Sequence, residues 1–150
     1  EINFNKDTNN EKIKNYGWPV SSYGEHYGFP EKKMLDEYSR APLYKSHKKF
    51  GFIEPFKYFV PSIAPSQVIK PKAFDSEKEN TIYLAAMGYD VEEGDLSVHK
   101  FTLTEDLRMK NHLILPIGER VRDMFYIEEL NKILLFLESS GSIGLLEKFN

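Results

Sequence analysis

The sequence predicts an all-β fold. Aromatic residues make up 14% of the chain, with 11 Phe and 9 Tyr, and these side chains favour strands over a helical bundle. From residue 66 onward, short apolar segments of strand length follow one another,. Brief clusters of Gly, Asp, Asn and Glu separate them at nearly even spacing, as in an antiparallel meander,. With 150 residues and 41% hydrophobic content, the chain is large enough for one domain with a substantial core,.

Residues 1–52 hold few strand patterns and many Gly, Asn, Lys, Ser and Tyr residues. Residues 1–4 read as the close of a strand, and 6–14 as a polar turn. Residues 20–52 read as a long aromatic loop with a helical turn near 31–38. A loop of that length inside a compact domain is usually functional. Residues 53–60 alternate and read as a strand, and Pro61 and Pro65 then bracket a rigid turn,. Four strands are expected at 66–70, 81–87, 96–103 and 112–117, with turns at 75–80, 88–94 and 104–111. Three more are expected at 121–127, 132–137 and 142–149, joined at 128–131 and 138–141. The chain thus divides into a loop-rich 1–52 and a strand-rich 53–150. A set of four and a set of three suit two blades of a β-propeller, the second short of one strand. They suit a small sandwich or open barrel equally, and no internal repeat decides between them.

The net charge is −3 and the pI about 5.9, so no basic excess points to nucleic acid. No apolar run approaches the ~20 residues of a membrane span. Cysteine is absent, which excludes disulfides, thiolate catalysis and Cys-based metal sites.

Arg120 and Arg122 lie two apart at the start of an expected strand, so both guanidiniums should project to one face, with Val121 on the other,. Paired guanidinium forks suit carboxylates. The bland alternative is neutralisation by Glu119 and Asp123 in surface ion pairs. Tyr16 and Trp18 flank Gly17, which lets the backbone turn between two large rings, and Pro19 stiffens the exit,. Such rings stack on sugars and planar cofactors. A lone Trp is equally suited to anchoring a core.

Of the histidines, His26 stands beside Glu25 in the aromatic loop, and His99 is expected on the polar face of its strand. With His47 and His112 they show no metal-ligand spacing,. The neighbouring acids Asp36-Glu37 and Glu92-Glu93 do not define the separation that glycoside chemistry needs,.

Three segments carry a resemblance. Asn15-Tyr16-Gly17-Trp18-Pro19, Pro61-Ser62-Ile63-Ala64-Pro65-Ser66 and Gly118-Glu119-Arg120-Val121-Arg122-Asp123, in this order, resemble the C-terminal part of the glucose/sorbosone dehydrogenase family. These are soluble six-bladed β-propellers that oxidise the C1 hydroxyl of aldose sugars by hydride transfer to pyrroloquinoline quinone.

The resemblance implies a partial propeller of about two C-terminal blades, the last lacking a strand and the whole preceded by the long aromatic loop. It implies that Arg120 and Arg122 contact the quinone cofactor, and that Tyr16 and Trp18 help to wall the sugar-binding mouth. The family's catalytic His and its Ca²⁺ ligands lie in the N-terminal half, so no catalytic or metal-binding residue is assigned to this chain. The implied partners are a sugar substrate, the missing N-terminal blades and an external electron acceptor, in a periplasmic or secreted setting. Where some members place a cofactor-contacting Lys, this chain has Gly88-Tyr89-Asp90. That departure keeps a second reading open, a non-catalytic propeller acting as a carbohydrate-binding or interaction module. A third is a self-contained all-β interaction domain.

Overall fold

The computed structural model describes residues 1–6, 8–9, 12–17, 21–23, 47–75, 80–90, 92 and 94–148. The chain forms two compact units, Glu1–Ser62 and Ile63–Asn150.

All strands of the described residues belong to the second unit. They are β1 (Pro65–Ile69), β2 (Asn80–Ala86), β3 (Ser97–Leu103), β4 (Met109–Pro116), β5 (Val121–Ile127), β6 (Lys132–Leu137) and β7 (Ser142–Leu146). Two antiparallel sheets result, one ordered β1-β2-β3-β4 and the other β5-β6-β7. The expected division into four and three holds, and within each sheet the strands pair in sequence order. The turns explain the economy of the connections. Thr104 N–H donates to Arg108 O (2.9 Å) and Leu107 N–H to Thr104 O (3.0 Å) between β3 and β4. Asn131 closes the β5–β6 turn at φ 50°, a left-handed conformation that Asn tolerates,.

The two sheets share one apolar layer. Tyr83, Ala85 and Val98 come from the first sheet, and Val121, Met124, Ile133 and Leu135 from the second; Phe74 joins them from the β1–β2 connection. Period-2 alternation places Met124 and Tyr126 of β5 beside Leu135 and Ile133 of β6 on this face,. The opposite face of the second sheet presents Phe125, Phe136, Ile143 and Leu145, each 39–63% exposed. Cross-strand pairing of Phe136 with Ile143 and of Leu134 with Leu145 makes this face continuous,.

Asp75 ties one end of the layer. Its Oδ2 accepts the hydroxyls of Thr81 and Tyr83, each at 2.8 Å, and its Oδ1 pairs with Lys100 Nζ. Its backbone carbonyl accepts Lys148 Nζ at 2.6 Å, linking the residue after next beyond β7 to the β1–β2 connection. Burial pushes the Asp75 carboxyl up, but the hydrogen bonds from Lys100, Thr81 and Tyr83 and the Lys100 charge outweigh it, so its pKa is lowered,.

Residues 53–60 form no strand, contrary to the alternation there. Ile2 and Lys57 make one isolated antiparallel bridge. Pro55 interrupts the segment and has no N–H to give a ladder,. The aromatic side chains pack locally instead: Phe56 lies 4.6 Å from Phe4, and Tyr58 stacks on Tyr23 at 4.2 Å. The expected helical turn near 31–38 lies outside the described residues.

Two measurements check this account. Ile133 is fully buried in the shared layer, so Ile133→Ala should lower the unfolding free energy by about 2–5 kcal/mol in a urea titration. Asp75→Asn should cost about 2 kcal/mol at pH 7. Because the folded-state pKa is depressed, that contribution is complete above the ordinary carboxylate range and drains away as pH falls through it. The gap between variant and wild type should therefore shrink towards pH 3; a gap constant from pH 7 to 3 would contradict the charged role.

Candidate functional site

Arg120 and Arg122 do converge, through a device that simple alternation does not anticipate. Val121 pairs with Leu137, yet Asp123 pairs with Phe136, so Arg122 is the extra residue of a β-bulge,. The bulge keeps Val121 and Met124 both in the core and turns the arginines away from it. Arg120 Nε donates to the Met87 carbonyl at 2.8 Å. Its guanidinium carbon stands 4.8 Å from the centroid of the Tyr89 ring, a cation–π distance,. Arg122 Nη1 reaches the Met87 sulfur at 3.7 Å. Both guanidiniums thus gather at the end of β2.

Their acidic partner is Glu138, not Glu119 or Asp123. Glu138 Oε1 lies 3.2 Å from Arg120 Nη1, and Oε2 lies 3.9 Å from Arg122 Nη1. Glu119 instead accepts Ser140 N–H at 3.0 Å, and Asp123 accepts the N–H of Met124 at 2.8 Å. The side chains differ in exposure, 24% for Arg120 and 66% for Arg122. Arg120 is held by backbone and ring, while Arg122 remains open to solvent.

The segment around Met87 is itself fixed from behind. Met87 N–H donates to the carbonyls of Ile63 (3.2 Å) and Ala64 (3.0 Å), and Gly88 N–H to Ile63 O (3.1 Å). Ser66 Oγ donates to Val121 O at 2.6 Å. Ile63, Ala64 and Ser66 therefore act as scaffolding for the start of β5 and the end of β2. Gly88 is required by close approach: a Cβ there would overlap the Asp95 carboxylate. Asp95 is buried, and its Oδ2 accepts Asp90 N–H at 2.9 Å. Its Oδ1 has no hydrogen-bond partner among the described residues.

Tyr16 and Gly17 belong to the Glu1–Ser62 unit; Trp18 lies outside the described residues, as does His26. Tyr16 is half-buried and Gly17 buried. Gly17 has φ 95°, and a Cβ on it would overlap Nδ1 of His47 and Oγ of Ser21. His47 is fully buried, bonded through Nδ1 to Ser21 Oγ and through Nε2 to Glu1 Oε1 at 3.1 Å. The glycine of the aromatic segment thus makes room for a histidine–serine pair. Nearby, Tyr23 OH donates to Glu54, which also accepts Lys48 N–H at 2.7 Å. That hydrogen bond, with some burial, raises the Tyr23 pKa to about 12.

His99 corrects its expectation of a polar face. It is buried, donating from Nε2 to Gly94 O at 2.7 Å, with Nδ1 facing His112 Nε2 at 2.9 Å. Val98 and His99 are both buried, so alternation in β3 does not separate core from solvent. Among the described residues, no group of three or more His, Cys, Asp or Glu side chains is placed to hold a metal ion, and no helix is long and apolar enough to cross a membrane.

With this geometry established, comparison with known proteins adds the lineage. The family model for glucose/sorbosone dehydrogenase matches residues 7–144. The chain belongs to this family. An uncharacterized protein of Synechocystis is similar, 25% identical over 138 residues. That match covers 91% of this chain and 30% of the relative; the chain therefore spans about a third of that relative's length. No solved structure matches. Family membership agrees with the all-β architecture.

Sequence reasoning placed Arg120 and Arg122 together but missed Glu138, Tyr89 and the Met87 carbonyl. The β5–β6 hairpin carries the missing signal for Glu138. Once Val121 stands opposite Leu137, the next residues outward, Arg120 and Glu138, must be neighbours; Glu138 N–H indeed donates to Arg120 O at 2.9 Å.

Gly17→Ala should destabilise the Glu1–Ser62 unit by about 2 kcal/mol or more, through positive φ and displacement of His47. Chemical unfolding followed by tyrosine fluorescence checks this. A neutral substitution would mean that His47 and Ser21 are not packed against residue 17.

Proposed function

We propose that this chain is part of a quinoprotein sugar dehydrogenase, in which Arg120 and Arg122 anchor the carboxylates of pyrroloquinoline quinone. The observation that carries this reading is the fork itself. Two guanidiniums already flank one carboxylate, that of Glu138, so the donor set suits a planar polycarboxylate. When bound, the quinone supplies the hydride acceptor for oxidation at the sugar C1.

This chain's residues bind and orient. Arg120, fixed by the Met87 carbonyl and the Tyr89 ring, supplies a rigid fork; Arg122, more exposed, supplies an adaptable one. Tyr16 and Trp18 contribute to the sugar-facing wall in this reading. The base that removes the hydroxyl proton, the Ca²⁺ ligands and the electron acceptor are supplied from outside these residues. A periplasmic or secreted setting and completion of a six-bladed propeller by N-terminal blades belong to the same proposal. The exposed apolar face of Phe125, Phe136, Ile143 and Leu145 supports a neighbour of that kind,.

Gly88 favours a second reading, a non-catalytic propeller that binds carbohydrate or a protein partner. Asp95 occupies the space a side chain at 88 would need, so the cofactor-contacting Lys of some relatives has no counterpart there.

Titrating the full-length protein with pyrroloquinoline quinone separates the two. The first reading expects saturable binding, sugar-dependent dye reduction, and binding weakened about tenfold or more in Arg120→Gln or Arg122→Gln. Absence of quinone binding, with carbohydrate binding intact, would establish the second.

A further inference from the structure

We infer that Glu138 is a resident placeholder of the arginine pair, an internal carboxylate that an incoming polycarboxylate must displace. This deepens the quinone-anchoring reading and rests on it for the identity of the natural ligand. The placement of the acid carries the argument. Glu138 does not pair with one arginine; its two oxygens face Nη1 of Arg120 and Nη1 of Arg122 separately, at 3.2 and 3.9 Å. A ligand carboxylate entering the fork would address the same two nitrogens.

The geometry also makes displacement easy. The Glu138 backbone is fixed by its N–H bond to Arg120 O, but its side chain is 37% exposed and stands at the first position of the β6–β7 turn. The contact to Arg122 is long and solvent-accessible, and pairs of that kind contribute little. The arginines do not depend on Glu138 for their positions. Arg120 keeps the Met87 carbonyl at 2.8 Å and the Tyr89 ring at 4.8 Å, and Arg122 keeps the Met87 sulfur at 3.7 Å.

Two consequences follow from the charge. With Glu138 in place the face carries one net positive charge rather than two, so a simple monocarboxylate gains little by replacing it. A ligand with several carboxylates engages both guanidiniums and releases Glu138 to water. Glu138 is thus a specificity-determining residue that sets the threshold for anion entry.

Calorimetric titration of the full-length protein and its Glu138→Gln variant tests this, with pyrroloquinoline quinone and citrate as probes at low salt and at about 0.5 M salt. The expected result is tighter binding of both probes by Glu138→Gln, about tenfold at low salt, with the gap closing at high salt. Unchanged or weaker binding in Glu138→Gln, with quinone still bound by the wild type, would overturn the placeholder and make Glu138 a positioning residue; the anchoring reading would survive. Tightened citrate binding with no quinone binding by either protein would keep the placeholder and overturn the quinone reading. No binding of either probe by either protein would overturn both. Unfolding midpoints of the two proteins should agree, since Gln keeps the size and hydrogen-bonding reach of Glu.

Discussion

Tyr83, Ala85 and Val98 meet Val121, Met124, Ile133 and Leu135 in a single apolar layer, and this contact sets the position of every group at the arginine fork. Burial of such side chains is the main favourable term available to a sheet pair. β2 runs out of the layer at Ala86 and delivers Met87; β5 enters it at Val121 and so holds Arg120 just outside. The polar contacts around them, from Ile63, Ala64 and Ser66, refine a placement that the apolar layer already dictates. A fork built on strand ends beside a packed core holds its geometry better than one built on a free loop.

Much of this was legible in the residues. Strand-length apolar segments separated by turn clusters located the seven strands of the described residues and their grouping, because within each sheet sequence neighbours pair and no long-range crossover intervenes. Residues 53–60 misled because alternation reports a half-buried surface, whereas Pro55 denies the segment a ladder. His99 misled for the opposite reason: its strand is buried on both sides, so a polar residue there is bonded internally and not solvated. The bulge at Arg122 was hidden, since a bulge depends on register between strands and leaves no mark in a single one. Glu138 was hidden likewise, eighteen positions from Arg120 in sequence and adjacent only once the hairpin closes.

Arg120 and Arg122 gather their guanidiniums on one face, where both already meet the carboxylate of Glu138. At Gly88 the chain has given the space of a side chain to the buried carboxylate of Asp95, so that position adds no cation to the face. A site of two guanidiniums and a ring reads shape and charge spacing more than total charge, since planar forks are directional where an ammonium is not.

Gly17 has an implication for how this sequence can drift. Its missing side chain, the imidazole of His47 and the hydroxyl of Ser21 share one small volume. None of the three can change size independently, so related chains should vary these positions as a set. A larger residue at 17 becomes admissible only alongside a smaller one at 47, together with a backbone that has abandoned its left-handed turn. In the short aromatic segment, then, the residue without a side chain carries a steric constraint of its own.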